Sequence, residues 1–120
     1  KTIRVFNHGD LYRDFTYIDD IVEGIVKIML RPLSASSGAD AYKLYNIGNS
    51  TPVKLMEFIE TIEKALGKEA TKEYLDMQPG DVYKTYADVS ALEKDFGYSP
   101  NTPLATGIGR FVEWYLKMKY

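Results

Sequence analysis

The stretch from Arg13 to Met29 joins a run of strand-forming residues directly to a helical repeat. Residues 15–18 (Phe-Thr-Tyr-Ile) favour extended backbone, and the carboxylates of Asp19 and Asp20 then favour the start of a helix. The next apolar residues recur at the spacing of one helix face: Ile21, Val22, Ile25, Ile28 and Met29. Because a strand and an amphipathic helix must pack in layers, this stretch predicts an α/β fold, or α+β for these residues taken alone.

Shorter strand and helix patterns alternate along the rest of the chain. We predict strands at 3–7, 42–47 and 70–75, and further helices at 53–66, 89–96 and 103–117. Ser50 or Thr51 is expected to cap the helix at 53–66, which should end at Gly67. A loop of small residues is expected at 34–40, after Pro32 stops the first helix.

Composition narrows the classes of function. The 120 residues are expected to form a single domain, residues 1–120, with a net charge of −2 and no cluster of Lys and Arg, so we expect no nucleic-acid partner. No apolar run approaches the roughly 18 residues that cross a bilayer, and no signal peptide is apparent; we expect no membrane partner and a cytoplasmic location. Cysteine is absent, which excludes thiol chemistry. The single histidine, His8, lies in a turn, and we expect no metal site.

Two short segments are candidates for binding an anion. Arg13 stands at the entrance of the strand that leads into the first helix, and its guanidinium is a planar donor fork suited to phosphate oxygens. The Pro-Gly turn at 78–81 carries Gln78 and Asp81. Two plainer interpretations remain open. Arg13 could merely pair with a neighbouring aspartate (Asp14, Asp19 or Asp20), and Asp19 and Asp20 are expected to serve as helix-capping residues.

Six motifs resemble the C-terminal half of the extended short-chain dehydrogenase/reductase sugar-nucleotide epimerases. They are RDFTYIDDIVEGI at 13–25, YNIGNS at 45–50, MQPGDV at 77–82, YADVS at 86–90, GYSP at 97–100 and FVEWY at 111–115. MQPGDV is similar to the UDP-glucuronate 4-epimerase group. Since the motifs cover nearly the whole chain in order, the resemblance implies the substrate-binding C-terminal portion of a larger NAD-dependent epimerase whose Rossmann core is missing here.

The resemblance implies which part of the full-length enzyme has which function. An N-terminal Rossmann domain would hold NAD and supply a catalytic Tyr-x-x-x-Lys pair, and UDP-glucuronate would pass to UDP-galacturonate through a 4-keto intermediate. We therefore expect no catalytic residue and no cofactor-binding residue in these 120 residues, no NAD bound to them, and no activity of the chain alone. The expected partners are the UDP-sugar substrate and the missing Rossmann domain, and the chain alone is expected to self-associate.

The resemblance also implies roles for three residues. Arg13 matches the family arginine that contacts the substrate diphosphate. The 78–81 turn matches the segment that touches nucleotide phosphate and ribose, with Asp81 expected to accept hydrogen bonds from ribose or uracil. Gln78 stands where many relatives carry an arginine, so its contribution to phosphate binding should be weaker. Three alternatives stay open: a portion of a UDP-glucose 4-epimerase, a portion of a nucleotide-sugar 4,6-dehydratase, or a stand-alone module that binds a partner protein.

Overall fold

The computed structural model describes residues 2–31 and 43–118. The elements follow in order as β1 (Ile3–Val5), a 3-10 turn (Phe6–Gly9), β2 (Tyr12–Arg13), α1 (Ile18–Leu30), β3 (Val53–Lys54), α2 (Leu55–Leu66), β4 (Lys72–Tyr74), α3 (Ser90–Phe96) and α4 (Leu104–Met118). The α/β fold class is confirmed. None of the helices in the described part of the chain combines the length and apolarity needed to cross a membrane. The loop predicted at 34–40 and the helix stop at Pro32 fall outside the described residues.

The strands form two small sheets. β1 pairs in parallel with β4, so that Val5 lies opposite Tyr74. β2 pairs antiparallel with β3, with Tyr12 opposite Lys54. A parallel bridge joins Tyr12 to Lys84 on the other side of β2. β2 is therefore flanked on both sides, by residues far apart in sequence.

Packing between α2 and α4 forms the main helical layer. The Phe15 ring, which follows β2, stacks on the Phe58 ring of α2 with their centroids 3.8 Å apart. The buried apolar side chains come from strands, helices and loops alike: Val5, Leu11, Val89, Leu92, Tyr98, Ile108 and Val112. The core thus draws on β1, α3, α4 and the loops between the elements.

Helix α1 packs differently from the prediction of one apolar face. On its inner side Gly24 is buried, and an added Cβ would lie 3.1 Å from the Tyr98 ring and 3.3 Å from Ile47. The outer side exposes large apolar side chains: Ile18, Val22, Ile25, Val26, Met29 and Leu30, of which Met29 is 75% exposed. The side chains of the predicted face are thus divided between the two sides, and the outer apolar face, as we call these six residues, is uncovered in the described part of the chain.

Several of the predicted boundaries of strands and helices are wrong. Within 43–47 no strand forms, because the described residues offer this segment no strand to pair with. Val53 and Lys54 pair with β2 instead of entering the helix, so α2 starts at Leu55 with Lys54 as N-cap. The predicted cap by Ser50 or Thr51 is therefore wrong. The predicted helix ends are confirmed at Gly67 and Gly97, where the backbone is left-handed with φ of 63° and 61°.

The two aspartates at the start of α1 do not cap it. The N-cap is Tyr17, which makes no side-chain cap bond, and both aspartates lie inside the first turn. Asp20 is buried, and its carboxylate accepts hydrogen bonds from the Thr102 N–H at 2.9 Å and the Thr102 hydroxyl at 2.8 Å. Asp19 is exposed and lies 3.7 Å from Arg110. Asp20 therefore ties α1 to the segment that leads into α4, a tertiary role that the sequence does not reveal.

An ion pair holds β4 against α2. The Lys72 ammonium donates to Glu63 Oε1 at 2.5 Å, and the Ala70 N–H donates to the same oxygen at 2.7 Å. These bonds hold the pKa of the Glu63 carboxyl below its usual value, with the Lys72 bond as the larger cause. Because β4 leads directly into the 76–81 turn, this pair helps to place the candidate binding turn.

Replacing Asp20 with alanine should destabilise the chain by about 1–3 kcal/mol, because two donors of Thr102 would lose their acceptor. Asp19→Ala removes the same charge one residue earlier, at a position that is 70% exposed. This control should change the free energy of unfolding by at most about 0.5 kcal/mol. Urea unfolding of both variants measures the difference, and equal destabilisation by the two would contradict the assignment.

Candidate functional site

The site is built where β2 meets the segment 81–87. The Tyr12 N–H donates to the Tyr83 carbonyl at 2.9 Å, and the Thr85 N–H donates to the Tyr12 carbonyl at 3.2 Å. These main-chain bonds bring together residues about seventy positions apart. As a result, Arg13 at the end of β2 faces Asp81 at the end of the Pro-Gly turn.

Arg13 is held by three hydrogen bonds. Its Nη1 donates to the Tyr12 carbonyl at 2.8 Å and to the Tyr83 carbonyl at 3.3 Å, and its Nη2 donates to Asp81 Oδ1 at 2.7 Å. The side chains of Arg13 and Asp81 are only 23% and 29% exposed, so their ion pair is partly shielded from water. The plainer interpretation of Arg13 pairing with a neighbouring aspartate is wrong, because its acidic partner comes from the turn.

The pair retains hydrogen-bonding capacity for a ligand. A guanidinium has five N–H donors, and the three bonds to described residues leave two of them. Asp81 Oδ1 accepts from Arg13 and also from the Val82 N–H at 2.9 Å. No donor of the described residues contacts the other oxygen, Oδ2. The arrangement therefore offers fixed donors for an anion beside a carboxylate oxygen that can accept from hydroxyl groups.

The turn itself forms as the sequence predicts. The Asp81 N–H donates to the Gln78 carbonyl at 3.1 Å, and Gly80 has a φ of 83°, a conformation that glycine adopts without strain. Gln78 is exposed, and its side-chain amide bonds to none of the described residues. Of the three predicted site residues, the structure thus brings Arg13 and Asp81 into contact and places Gln78 at the open rim of the turn.

Two lysines near the site were missed from sequence. The Tyr12 ring lies between the ammonium groups of Lys54 and Lys84, which are 5.8 Å and 6.0 Å from its centroid. Both lysines are exposed. They add positive charge next to the strand that carries Arg13. No local pattern signals them, since only the pairing of β2 with its two neighbours brings them together.

Asp14 has a further role that the sequence did not indicate. The sequence pointed to it only as a possible partner of Arg13. Its Oδ2 accepts hydrogen bonds from the Ser50 N–H and the Ala87 N–H, both at 3.0 Å. Its Oδ1 is buried and accepts no hydrogen bond from the described residues. Asp14 lies at the edge of a polar cavity of about 400 Å³ that Thr16, Asn46 and Thr85 also line.

Tyr83, one of two tyrosines in the 81–87 segment, is bonded to the turn that follows β1. The Tyr83 hydroxyl donates to Asp10 at 3.1 Å, and this bond is the main reason that the pKa of Tyr83 is raised above its usual value. His8 lies in the same turn and contacts Asp76 at 3.0 Å, as expected for a turn histidine. Within residues 2–31 and 43–118 no cluster of three His, Cys, Asp or Glu side chains could hold a metal ion.

One Tyr-x-x-x-Lys spacing does occur in the chain, from Tyr115 to Lys119. Tyr115 lies near the end of α4, where its ring faces that of Phe111 at 6.4 Å. Lys119 falls outside the described residues. Because Tyr115 belongs to the aromatic side of α4, we assign it no catalytic role.

No protein-family model matches the chain. Protein CapI of Staphylococcus aureus is 51% identical over 98% of the chain, and a probable UDP-glucuronate 4-epimerase of Rhizobium meliloti is 39% identical over 96% of it. The chain spans 38% and 37% of the length of these two relatives.

A solved structure shows the same fold. The UDP-glucuronic acid 4-epimerase of Bacillus cereus, in complex with UDP-glucuronic acid and NAD, superposes on the entire chain with a TM-score of 0.80 and 32% identity. The chain covers 36% of that protein. Over its whole length the chain therefore matches the C-terminal part of sugar-nucleotide epimerases of the extended short-chain dehydrogenase/reductase family.

Proposed function

We propose that this chain is the nucleotide-sugar-binding portion of a UDP-glucuronate 4-epimerase. The observation that carries the proposal is the partly buried Arg13–Asp81 pair, which keeps two N–H donors and one carboxylate oxygen for a ligand. A diphosphate accepts such donors strongly, because both partners are charged. A ribose offers the hydroxyl donors that Asp81 Oδ2 would accept. Both groups lie side by side in a UDP-sugar.

This geometry suits an epimerase because of what must stay still during the reaction. Inverting one sugar carbon requires the sugar to present both of its faces, so the sugar cannot itself be the fixed point. An anchored diphosphate keeps the substrate bound while the sugar turns. Arg13 provides such an anchor, since three hydrogen bonds already hold its guanidinium in place. Gln78, at the exposed rim, would add a neutral contact at most.

In the described part of this chain, no glycine-rich turn of the kind that holds NAD follows a strand. Its sequence Gly107-Ile108-Gly109 lies inside α4, and an added Cβ on Gly107 would be 3.1 Å from the Tyr17 ring. That glycine thus serves helix packing and forms no phosphate-binding turn after a strand. NAD of the full-length enzyme would therefore be held by residues outside this chain, and no step of the chemistry is assigned to the residues described above.

The outer apolar face of α1 would receive the Rossmann domain. Apolar residues on both sides of one helix are typical of a helix that is covered on both sides. The radius of gyration is 18.1 Å, compared with about 14 Å for a compact domain of this length. The relatives are more than twice as long as this chain, which leaves ample sequence for a second domain.

Arg13→Ala should weaken binding of UDP to the chain by about tenfold to a hundredfold, because a hydrogen bond to a charged group contributes about 1.5–3 kcal/mol. Arg13→Lys should restore only part of the affinity, since an ammonium lacks the planar fork. Arg4→Ala is the matched control, because Arg4 is exposed on β1 and pairs with Glu73 at 3.7 Å. NMR titration with UDP measures all three. Unchanged affinity of the Arg13→Ala chain would refute the anchor.

The chain alone should not convert UDP-glucuronate, either with or without added NAD. The reason is that the groups for oxidation and proton transfer would lie in the Rossmann domain. A coupled assay for UDP-galacturonate measures the conversion, with a full-length relative as the positive control. Measurable turnover by the chain would show that its own residues carry the chemistry.

The chain alone should self-associate through the outer apolar face. Sedimentation coefficients should rise with concentration, and Met29→Glu should reduce that rise by placing a charge on the face. Lys27→Glu is the control, since it adds a carboxylate to the same helix but removes no large apolar side chain. A monomer at every concentration would favour an autonomous module instead.

A further inference from the structure

Asp14 and Arg13 hold the two ends of one segment. Consecutive residues in extended backbone direct their side chains to opposite sides. Arg13 bonds to Asp81 at one end of the 81–87 segment, and Asp14 Oδ2 accepts from the Ala87 N–H at the other end. Between them, Tyr83 and Thr85 are bonded to the main chain of Tyr12. The segment is therefore fixed at four points along the strand that carries the guanidinium.

The same carboxylate also holds a second loop. Asp14 Oδ2 accepts from the Ser50 N–H as well, so one oxygen gathers two loops. The loops meet so closely that a Cβ added to Gly48 would lie 2.6 Å from the Ala87 Cβ and 3.2 Å from Asp14 Oδ2. Position 48 thus has no room for a side chain without displacing Ala87.

The other oxygen of Asp14 is an unusual feature. Asp14 Oδ1 is buried and finds no hydrogen-bond partner in residues 2–31 and 43–118, and a buried oxygen without a partner destabilises a fold. The two bonds to Oδ2 are charge-assisted and therefore stronger than those that a neutral side chain would form. Among the described residues, the hydrogen bonds to Asp14 thus go to Oδ2 alone, and these bonds fix the backbone beside the candidate site.

We propose that Asp14 is a positioning residue for the diphosphate site. Its carboxylate sets the place of the 81–87 segment and thereby the distance and angle at which Asp81 holds the Arg13 guanidinium. This inference rests on the proposed function, because it concerns the same anion site. It also predicts the direction in which neutralising Asp14 changes the affinity for an anion. If Asp14 acted only through its negative charge, its neutralisation would strengthen binding of an anion, whereas loss of positioning weakens it.

The test compares two different disturbances of the same contact. Asp14→Asn removes the charge, and Gly48→Ala keeps Asp14 but pushes on Ala87. Each should weaken UDP binding at least about fivefold, measured by NMR titration of the chain. The matched controls are Asp88→Asn, which alters the carboxylate that accepts from the Ser90 N–H at 3.0 Å, and Gly109→Ala, where a Cβ meets open space. Both controls should bind UDP within about twofold of the parent chain.

Two further measurements separate positioning from general destabilisation. In the double variant Arg13→Ala/Asp14→Asn, UDP affinity should match that of Arg13→Ala, because Asp14 acts through the guanidinium. The 15N signals of the Arg13 guanidinium should sharpen or shift in Asp14→Asn without any ligand, as its rotation is freed. If Asp14→Asn does not fold, Gly48→Ala decides alone.

The possible failures are distinguishable. If Arg13→Ala weakens binding but Asp14→Asn and Gly48→Ala bind UDP as well as the parent chain or better, the positioning role is overturned and the diphosphate site stands. Additive losses in the double variant would also overturn it. If Arg13→Ala leaves UDP binding unchanged, the diphosphate site fails and the role of Asp14 fails with it.

Discussion

The main-chain pairing of Tyr12 with two neighbouring segments is the interaction on which the arrangement of the candidate site depends. Its main chain bonds to Tyr83 and Thr85 on one side, and it lies opposite Lys54 on the other. Through this one residue, three segments distant in sequence become neighbours. The ends of those segments carry the charged groups, so a guanidinium and a carboxylate that no local pattern relates come within 2.7 Å. The candidate site is therefore a product of strand pairing more than of any single motif.

Four aspartates near this junction show how position decides what a carboxylate does. Asp14 gathers two loops, Asp20 ties α1 to Thr102, and Asp81 holds Arg13. Asp19, the residue before Asp20, is exposed and lies 3.7 Å from Arg110 at the surface. The carboxylates of Asp14, Asp20 and Asp81 each accept hydrogen bonds from backbone or guanidinium N–H groups. These bonds are shielded from bulk water, which strengthens them. The exposed carboxylate of Asp19 contributes little to stability, because water screens its charge.

The apolar surfaces explain why binding and catalysis would be divided between two parts of an epimerase. Part of the apolar surface of this chain is buried in the core, while the outer apolar face of α1 is uncovered by the described residues. The similarity to the Bacillus cereus enzyme over 36% of its length fits this division, since the matched part is only the smaller portion of that protein.

Local residue patterns were enough to predict the elements whose signals span only a few positions. Helical repeats, glycine helix ends and the Pro-Gly turn predicted α1, α2, α4 and the 78–81 turn, because each depends on residues only a few positions apart. The motifs also indicated Arg13 and Asp81 separately. The folded chain reveals that these two residues meet, that Asp20 is buried, that Lys54 is both the end of β3 and the N-cap of α2, and that 43–47 forms no strand. Those outcomes depend on which distant backbone supplies a hydrogen-bond partner or covers a side chain, and no spacing within the sequence encodes that choice.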